Sequence, residues 1–272
     1  MTVSFRKNGG EFPAKSSFRH EEVGAIIWDY DGTLVDTREK NLSVTRTVVE
    51  KIAHTNPLAF PVLRTLDAYT MAHVRSVNWR DFYEREFGFS QDLIDEAGRA
   101  WSAFQSDDPT PIPVFDGIHL VLHRLRDLRH GIVSQNSRSA ITRVLDGNDL
   151  RHYFSFIVGY EEVDLHRQKP APDGLLQCID GVMQVPAGRV LYIGDHETDA
   201  VCARNANELL LRTRSQIHIA SVGALYSSGG SVSDWSIKPD YEARTVQDIA
   251  ALVESLLSLA DGCRSSVSNP PP

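Results

Sequence analysis

The chain has 272 residues, with 28 basic side chains against 36 acidic ones and a formal charge of −8. That balance excludes the basic profile of most phosphate-backbone binders, so no nucleic-acid partner is expected. Apolar residues make up 42% and charged residues 24%, ordinary for a folded chain, and no apolar run approaches the roughly 18 to 20 residues that span a bilayer, so no membrane partner is expected either.

Residues 1–22 mix Arg6, Lys7, Lys15 and Arg19 with Glu11, Glu21 and Glu22 and lack the apolar block of a secretory signal; they read as a flexible N-terminal arm. Val23-Gly24-Ala25-Ile26-Ile27-Trp28 is short, apolar and β-prone, and it stops at Asp29-Tyr30-Asp31-Gly32, as a buried central strand does. From about Thr37 to Pro113 the periodicity is helical throughout: Leu42, Val48, Val49 and Ile52; Leu66, Tyr69, His73 and Val77; Trp79, Phe82, Tyr83 and Phe87; Leu93, Ile94, Ala97, Trp101 and Phe104. The segment Pro109-Thr110-Pro111-Ile112-Pro113 is stiff and extended and suits the return from an inserted helical body. After it, strand runs at Gly131–Val133, Phe156–Val158, Val190–Ile193 and, more weakly, Ile217–Leu225 alternate with helical patterns at Ile118–Leu128, Ile141–Leu145 and Leu175–Val182. His119, His123 and His130 fall on a helix pattern or its end and call for no special role. Ser227–Ser236 reads as a surface loop, and residues 259–272 as a disordered tail rich in Ser and Pro.

The fold class expected is therefore α/β, a Rossmann-like parallel sheet over residues 23–36 and 114–258 with an all-helical insert over 37–113. Cys178, Cys202 and Cys263 have neither metal-ligand nor redox spacing, which fits a reduced, cytoplasmic setting.

Four polar clusters fall at strand ends: Asp29-Tyr30-Asp31-Gly32-Thr33, then Ser134 with Asn136, then Lys169-Pro170, then Gly194-Asp195-His196-Glu197-Thr198-Asp199. A parallel sheet gathers these at one edge, which crowds Asp29, Asp31, Asp195 and Asp199. Two like charges about 4 Å apart repel by roughly 4 kcal/mol at an effective dielectric near 20. A hard divalent cation relieves this, and Mg²⁺ suits carboxylates combined with water and a substrate phosphate; the lack of a matching His and Cys set argues against zinc. Simpler readings stand beside this one: an Asx turn at Asp29 and Asp31, a helix cap at Ser134 or Ser137, and an exposed loop lysine at Lys169. In the insert, Arg75, Asn78, Trp79 and Arg80 form either a solvated helix face or a guanidinium clamp for a second anionic group.

In this order and spacing the four clusters resemble the motifs of the haloacid dehalogenase superfamily, in the phosphatase branch whose members, like phosphoglycolate phosphatase, carry a helical cap of the C1 type after the first motif. The resemblance implies a Mg²⁺-dependent phosphatase that hydrolyses a small phosphomonoester metabolite, phosphoglycolate-like or a sugar phosphate, through an aspartyl-phosphate. It casts Asp29 as nucleophile and Asp31 as general acid and base. The Asp29 side chain, the Asp31 carbonyl and Asp195 hold the metal, with Asp199 in support. Ser134 and Lys169 bind the phosphoryl oxygens, Asn136 joins them, and Thr33 fixes the first loop. It also implies a cap that closes for transfer, hinged near Asp36–Arg38 and Pro109–Pro113. A phosphosugar mutase and a catalytically silent phospho-ligand-binding protein remain alternatives. Two features depart from the pattern: Asn207, where relatives usually have Gly, is read as a helix-end residue tolerant of left-handed backbone, and the stretch before the last strand is longer than usual.

Overall fold

The computed structural model describes residues 23–76, 78–183, 187–213, 215–227 and 231–266, with side chains up to residue 258. The expected arm at 1–22 lies outside the described residues. The chain divides into two compact units, Met1–Leu34 with Phe115–Pro272, and Val35–Val114. Among the described residues the helices are α1 (Arg38–Lys51), α2 (Leu66–Val74), α3 (Trp79–Phe87), α4 (Gln91–Asp107), α5 (Ile118–Arg124), α6 (Arg138–Gly147), α7 (Asp173–Val182), α8 (Glu197–Arg212) and α9 (Val246–Ser266).

The first unit is built on six strands, β1 (Val23–Trp28), β2 (Arg129–Val133), β3 (Phe154–Val158), β4 (Ala187–Gly194), β5 (Gln216–Ala224) and β6 (Tyr241–Ala243). All neighbours are parallel, in the order β3-β2-β1-β4-β5-β6. Ala25, Ile26, Ile27 and Trp28 are wholly buried, because a central parallel strand is covered on both faces and admits apolar side chains in either direction. On one face Ala25, Ile27, Val190, Tyr192 and Ile219 meet Leu175, Cys178 and Ile179 of α7 and Cys202, Ala203 and Ala206 of α8. The chain moves outward from β1 through β2 to β3 and then crosses to β4 on the other side of β1. The carboxyl ends of β1 and β4 therefore flank the point where the strand order reverses, the place at which open α/β sheets keep their crevice.

Several local readings change. His130 belongs to β2, not to a helix end, and it is buried. Trp28 Nε1–H donates to its Nδ1 (3.0 Å), and its Nε2 lies 2.9 Å from the Leu125 carbonyl. A ring that accepts at Nδ1 carries its proton on Nε2 and is neutral, in keeping with a pKa that burial depresses despite the Leu125 bond. Asn207 lies inside α8, not at a helix end. Its amide donates to the Ile219 carbonyl (2.7 Å) and its side-chain oxygen accepts the Ile219 N–H (2.9 Å). β6 pairs only Val222–Ala224, so Asn207 supplies the two bonds that a neighbouring strand would have made to the earlier part of β5. Two residues on, the Asp240 carboxylate takes up the Ser221 N–H (2.8 Å) and also accepts from the Ser221 hydroxyl (2.9 Å). The expected disordered tail is in part helical, since α9 runs to Ser266: Leu259 and Ala260 are good helix formers, the next proline is Pro270, and the helix continues through Gly262, which costs about 1 kcal/mol relative to Ala. Residues 267–272 lie outside the described residues.

In the second unit, α1 to α4 enclose Leu42, Val48, Val49, Leu63, Tyr69, Phe82, Tyr83, Phe89 and Ile94. Side-chain caps start three of these helices: Thr65 accepts from Ala68 N–H, Asn78 from Arg80 and Asp81 N–H, and Ser90 from Leu93 N–H. The ends of the unit pair with each other, through an antiparallel bridge between Val35 and Val114 and a bond from Asp36 N–H to the Pro113 carbonyl (2.8 Å). None of the described helices is long and apolar enough to cross a membrane.

Two outcomes test these contacts. Asn207→Leu, which leaves the Ile219 N–H and carbonyl without partners, should lower stability by about 1–3 kcal/mol in urea unfolding. Because the folded pKa of His130 is lowered, its unfolded form binds the proton first, so its contribution is complete above about pH 6.5 and is lost as pH falls below that value. His130→Gln, which can still accept from Trp28 and donate to Leu125, should remove this component from the pH dependence of the unfolding midpoint; identical profiles would count against a neutral buried ring.

Candidate active site

The site starts where β1 ends. Asp29 N–H donates to the Ile193 carbonyl (2.7 Å), which carries the β1–β4 ladder one residue past the strand. The chain then turns, with the Tyr30 carbonyl accepting from Leu34 N–H (3.0 Å) while the Tyr30 ring is buried. Gly32 sits at φ +74°, and a Cβ there would lie 2.0 Å from Asp195 Oδ2. The absent side chain is thus what lets the first and last carboxylate loops meet. Gly194 is constrained in the same manner, since a Cβ on it would lie 2.3 Å from Asp199 Cγ.

Lys169 is the buried cation of this cluster. Its ammonium donates to Asp29 Oδ1 (2.6 Å) and to Asp199 Oδ1 (2.8 Å). Burial alone would depress the Lys169 pKa, but Asp199 and Asp29 outweigh it and hold the pKa above the ordinary lysine value. Three side chains grip the backbone that carries it: Gln135 donates to the Lys169 carbonyl (3.3 Å), Asn205 to that of Pro170 (2.9 Å) and Cys202 to that of Ala171 (3.3 Å). Asp199 is held on three sides, by Lys169, by the Tyr192 hydroxyl (2.7 Å) and by His196 N–H (3.3 Å). Burial pushes Asp29 up to about 7, with Lys169 opposing and Asp199 and Asp31 adding to the rise. Burial, with Asp29 and Asp199 nearby, also holds Asp195 well above the usual carboxylate range.

Asp31 faces the β2 loop. Ser134 Oγ donates to its Oδ2 (3.3 Å), Asn136 Nδ2 to its Oδ1 (3.2 Å), and the hydroxyl of Ser134 is itself oriented by Asn136 N–H (3.0 Å). Ser137, not Ser134, caps α6 by accepting from Ala140 N–H. Thr33 is buried, and its hydroxyl has no hydrogen-bond partner among the described residues.

Asp29, Asp195 and Asp199 each offer an oxygen within 4.8 Å of the others. Three crowded oxygen donors, two of them held above their ordinary pKa by burial and one another, fit a hard divalent cation such as Mg²⁺. The Asp31 side chain is not one of the three.

The structure brings Asp29, Asp31, Ser134, Asn136, Lys169, Asp195 and Asp199 together. His196 caps α8 by accepting from Thr198 N–H, and Glu197 accepts from the Ser236 and Ile237 N–H groups, so both serve the backbone. In the helical unit Arg80 donates to Asp95 and lies over the Trp79 ring (5.1 Å), whereas Arg75 is exposed at the end of α2. Tyr192 and Ser227 escaped the sequence reading. Tyr192 carries a lone hydroxyl in an apolar strand, two residues before Gly194. Ser227, placed by composition in a surface loop, is buried and donates to Asp195 Oδ2 (3.2 Å).

A parallel sheet with carboxylates where its strand order reverses places them at the ligand crevice of an open α/β fold, and comparison with known proteins gives the family. The family model described as Haloacid dehalogenase-like hydrolase matches residues 26–209, and the chain belongs to that family. It is 22% identical over 245 residues to a protein of Listeria innocua named Pyrophosphatase PpaX, covering 85% of this chain and 97% of the relative. It is 26% identical over 191 residues to a Phosphoglycolate phosphatase of Xanthomonas campestris, covering 67% and 79%. A haloacid dehalogenase-like family hydrolase from Streptococcus pneumoniae shares the fold, with a TM-score of 0.64, 20% identity and coverage of 85% and 98%.

Gly32→Ala should cost about 1–2 kcal/mol for its left-handed backbone and drive Asp195 from its place. Urea unfolding would read the sum of the two effects, and a loss no larger than the backbone cost alone would mean that Asp195 has room to spare.

Proposed function

We propose that this hydrolase is a Mg²⁺-dependent phosphatase that cleaves a small phosphomonoester metabolite through an aspartyl-phosphate on Asp29. The observation that carries the reading is the buried cluster at the ends of β1 and β4, in which Lys169 is shared by Asp29 and Asp199 beside Asp195. The names of the relatives, a pyrophosphatase and a phosphoglycolate phosphatase, support phosphoryl transfer as the reaction class.

Asp29, Asp195 and Asp199 with the Asp31 carbonyl would hold the cation. When bound, it would neutralise the carboxylates and the developing charge on the phosphoryl oxygens. Asp29 attacks phosphorus while the leaving alkoxide takes a proton from Asp31. Water then opens the aspartyl-phosphate, losing its proton to Asp31, which returns to its starting form. Asp31 is less buried than Asp29, which suits the partner that must meet water. Ser134 and Asn136 hold the Asp31 carboxylate from opposite ends of its two oxygens, which limits its rotation. In this reading Ser134 and Asn136 serve the proton donor as well as the phosphoryl group. Lys169 supplies a fixed positive charge for the phosphoryl oxygens, and in its bond to Asp29 it favours the ionised nucleophile. The task is mainly in-line positioning and charge neutralisation, which this small set of groups can perform.

Asp29→Asn should lower hydrolysis of an aryl phosphate by several orders of magnitude with the unfolding midpoint nearly intact, and a chelator should abolish turnover until Mg²⁺ is restored. Turnover by Asp29→Asn at the wild-type rate would refute the mechanism.

A further inference from the structure

The metal side of this site receives support from a segment outside the four sequence clusters. β5 lies beside β4 with Gly194 opposite Gly223, so the chain leaving β5 passes the loop that carries Asp195. Two consecutive residues there point back at the site. Ser227, buried, donates its hydroxyl to Asp195 Oδ2 (3.2 Å). The Tyr226 hydroxyl donates to the Thr33 carbonyl (2.6 Å), and its ring rests edge-on against Phe115 (5.4 Å between centroids). Ser227 approaches the same Asp195 oxygen that abuts Gly32, so that oxygen is bounded by the first loop and by the hydroxyl.

The described residues that follow are tied down as well. Lys238 donates to the carbonyls of Val232, Ser233 and Trp235. Glu197 accepts from Ser236 and Ile237, and Asp240 bonds to Ser221. Bonds to backbone at this density mark a built element rather than a slack connection.

We infer that Tyr226 and Ser227 are positioning residues for the cation: Ser227 fixes the rotation of the Asp195 carboxylate and Tyr226 fixes the main chain of the Asp29–Thr33 turn, so both sides of the cation site are set before the ion arrives. The inference rests on the Mg²⁺-phosphatase reading. A carboxylate ligand held by an outer hydrogen bond meets the ion in one orientation, and removing such a partner typically weakens metal affinity or activity about 10- to 100-fold.

The test is Mg²⁺ titration calorimetry without substrate on the full chain, comparing wild type, Ser227→Ala, Ser227→Thr, Tyr226→Phe and, as a control, Asp195→Asn. Thermal unfolding in chelator would be measured alongside. Ser227→Ala should weaken Mg²⁺ binding about 10-fold while its chelated unfolding midpoint stays near wild type, and Ser227→Thr, which keeps the hydroxyl, should restore affinity. Tyr226→Phe should weaken binding in the same direction. If wild type binds Mg²⁺, Asp195→Asn does not, and Ser227→Ala binds like wild type, the inference is overturned and the phosphatase reading stands. If Ser227→Ala loses affinity only in step with the chelated midpoint, and Ser227→Thr fails to restore it, the role of Ser227 is structural and the inference is again overturned. A wild-type chain that takes up no Mg²⁺ would overturn both.

Discussion

The arrangement depends on one ammonium group. Lys169 lies between Asp29, in the loop after β1, and Asp199, in the first turn of α8, carboxylates 170 residues apart in sequence. Removing three or four carboxylates from water is costly, and Coulomb repulsion between neighbours adds to that cost unless a positive charge sits among them. The details around Lys169 follow from this need. Gln135, Asn205 and Cys202 hold its backbone carbonyls in place, Tyr192 turns Asp199 toward it, and the two glycines leave room for the acids to approach. A lysine neutralises only part of the charge, so the cluster stays acidic, and it is this remainder that the proposed cation would balance.

The sheet is the frame that makes this geometry cheap. Asp29 and Asp195 each come directly after a strand, and β1 and β4 are hydrogen-bonded neighbours, so the two acids are set side by side by the ladder and not by loop conformation. The β2 loop delivers Ser134 and Asn136 by the same means on the other side of β1. The groups contributed by rigid strand ends are those that need the finest placement. The stretch around Lys169, which has no strand to fix it, is instead held through side chains.

Much of this was legible in the sequence wherever burial and pattern coincide. The run Val23–Trp28 is apolar without interruption because both of its faces are covered, and a carboxylate pair directly after such a run can only sit at a strand end. The order of the four clusters then implied their meeting. What escaped were residues whose local sequence resembles something else. Ser227 stands in a Ser- and Gly-rich stretch that reads as solvent-exposed, yet its place is decided by the neighbouring β4 loop. Asn207 looks like a helix terminator, whereas it completes the hydrogen bonding of a strand edge distant in register. β6 is three residues long and half-buried, too short for any alternation to show. His130 follows Arg129 in a polar-looking start to a strand, and burial, with the Trp28 indole bonded to one ring nitrogen and the Leu125 carbonyl beside the other, explains a neutral ring in the core.

The helical unit enters and leaves through a matched pair of residues, Val35 and Val114. Joining two ends across a flexible loop of roughly 80 residues costs about 4 kcal/mol in closure entropy. Here the insert folds so that its own ends touch, and the α/β frame closes over a stub no wider than a hairpin. The helical body is in that sense modular: it could be exchanged for a longer, shorter or differently shaped one without altering how the sheet assembles.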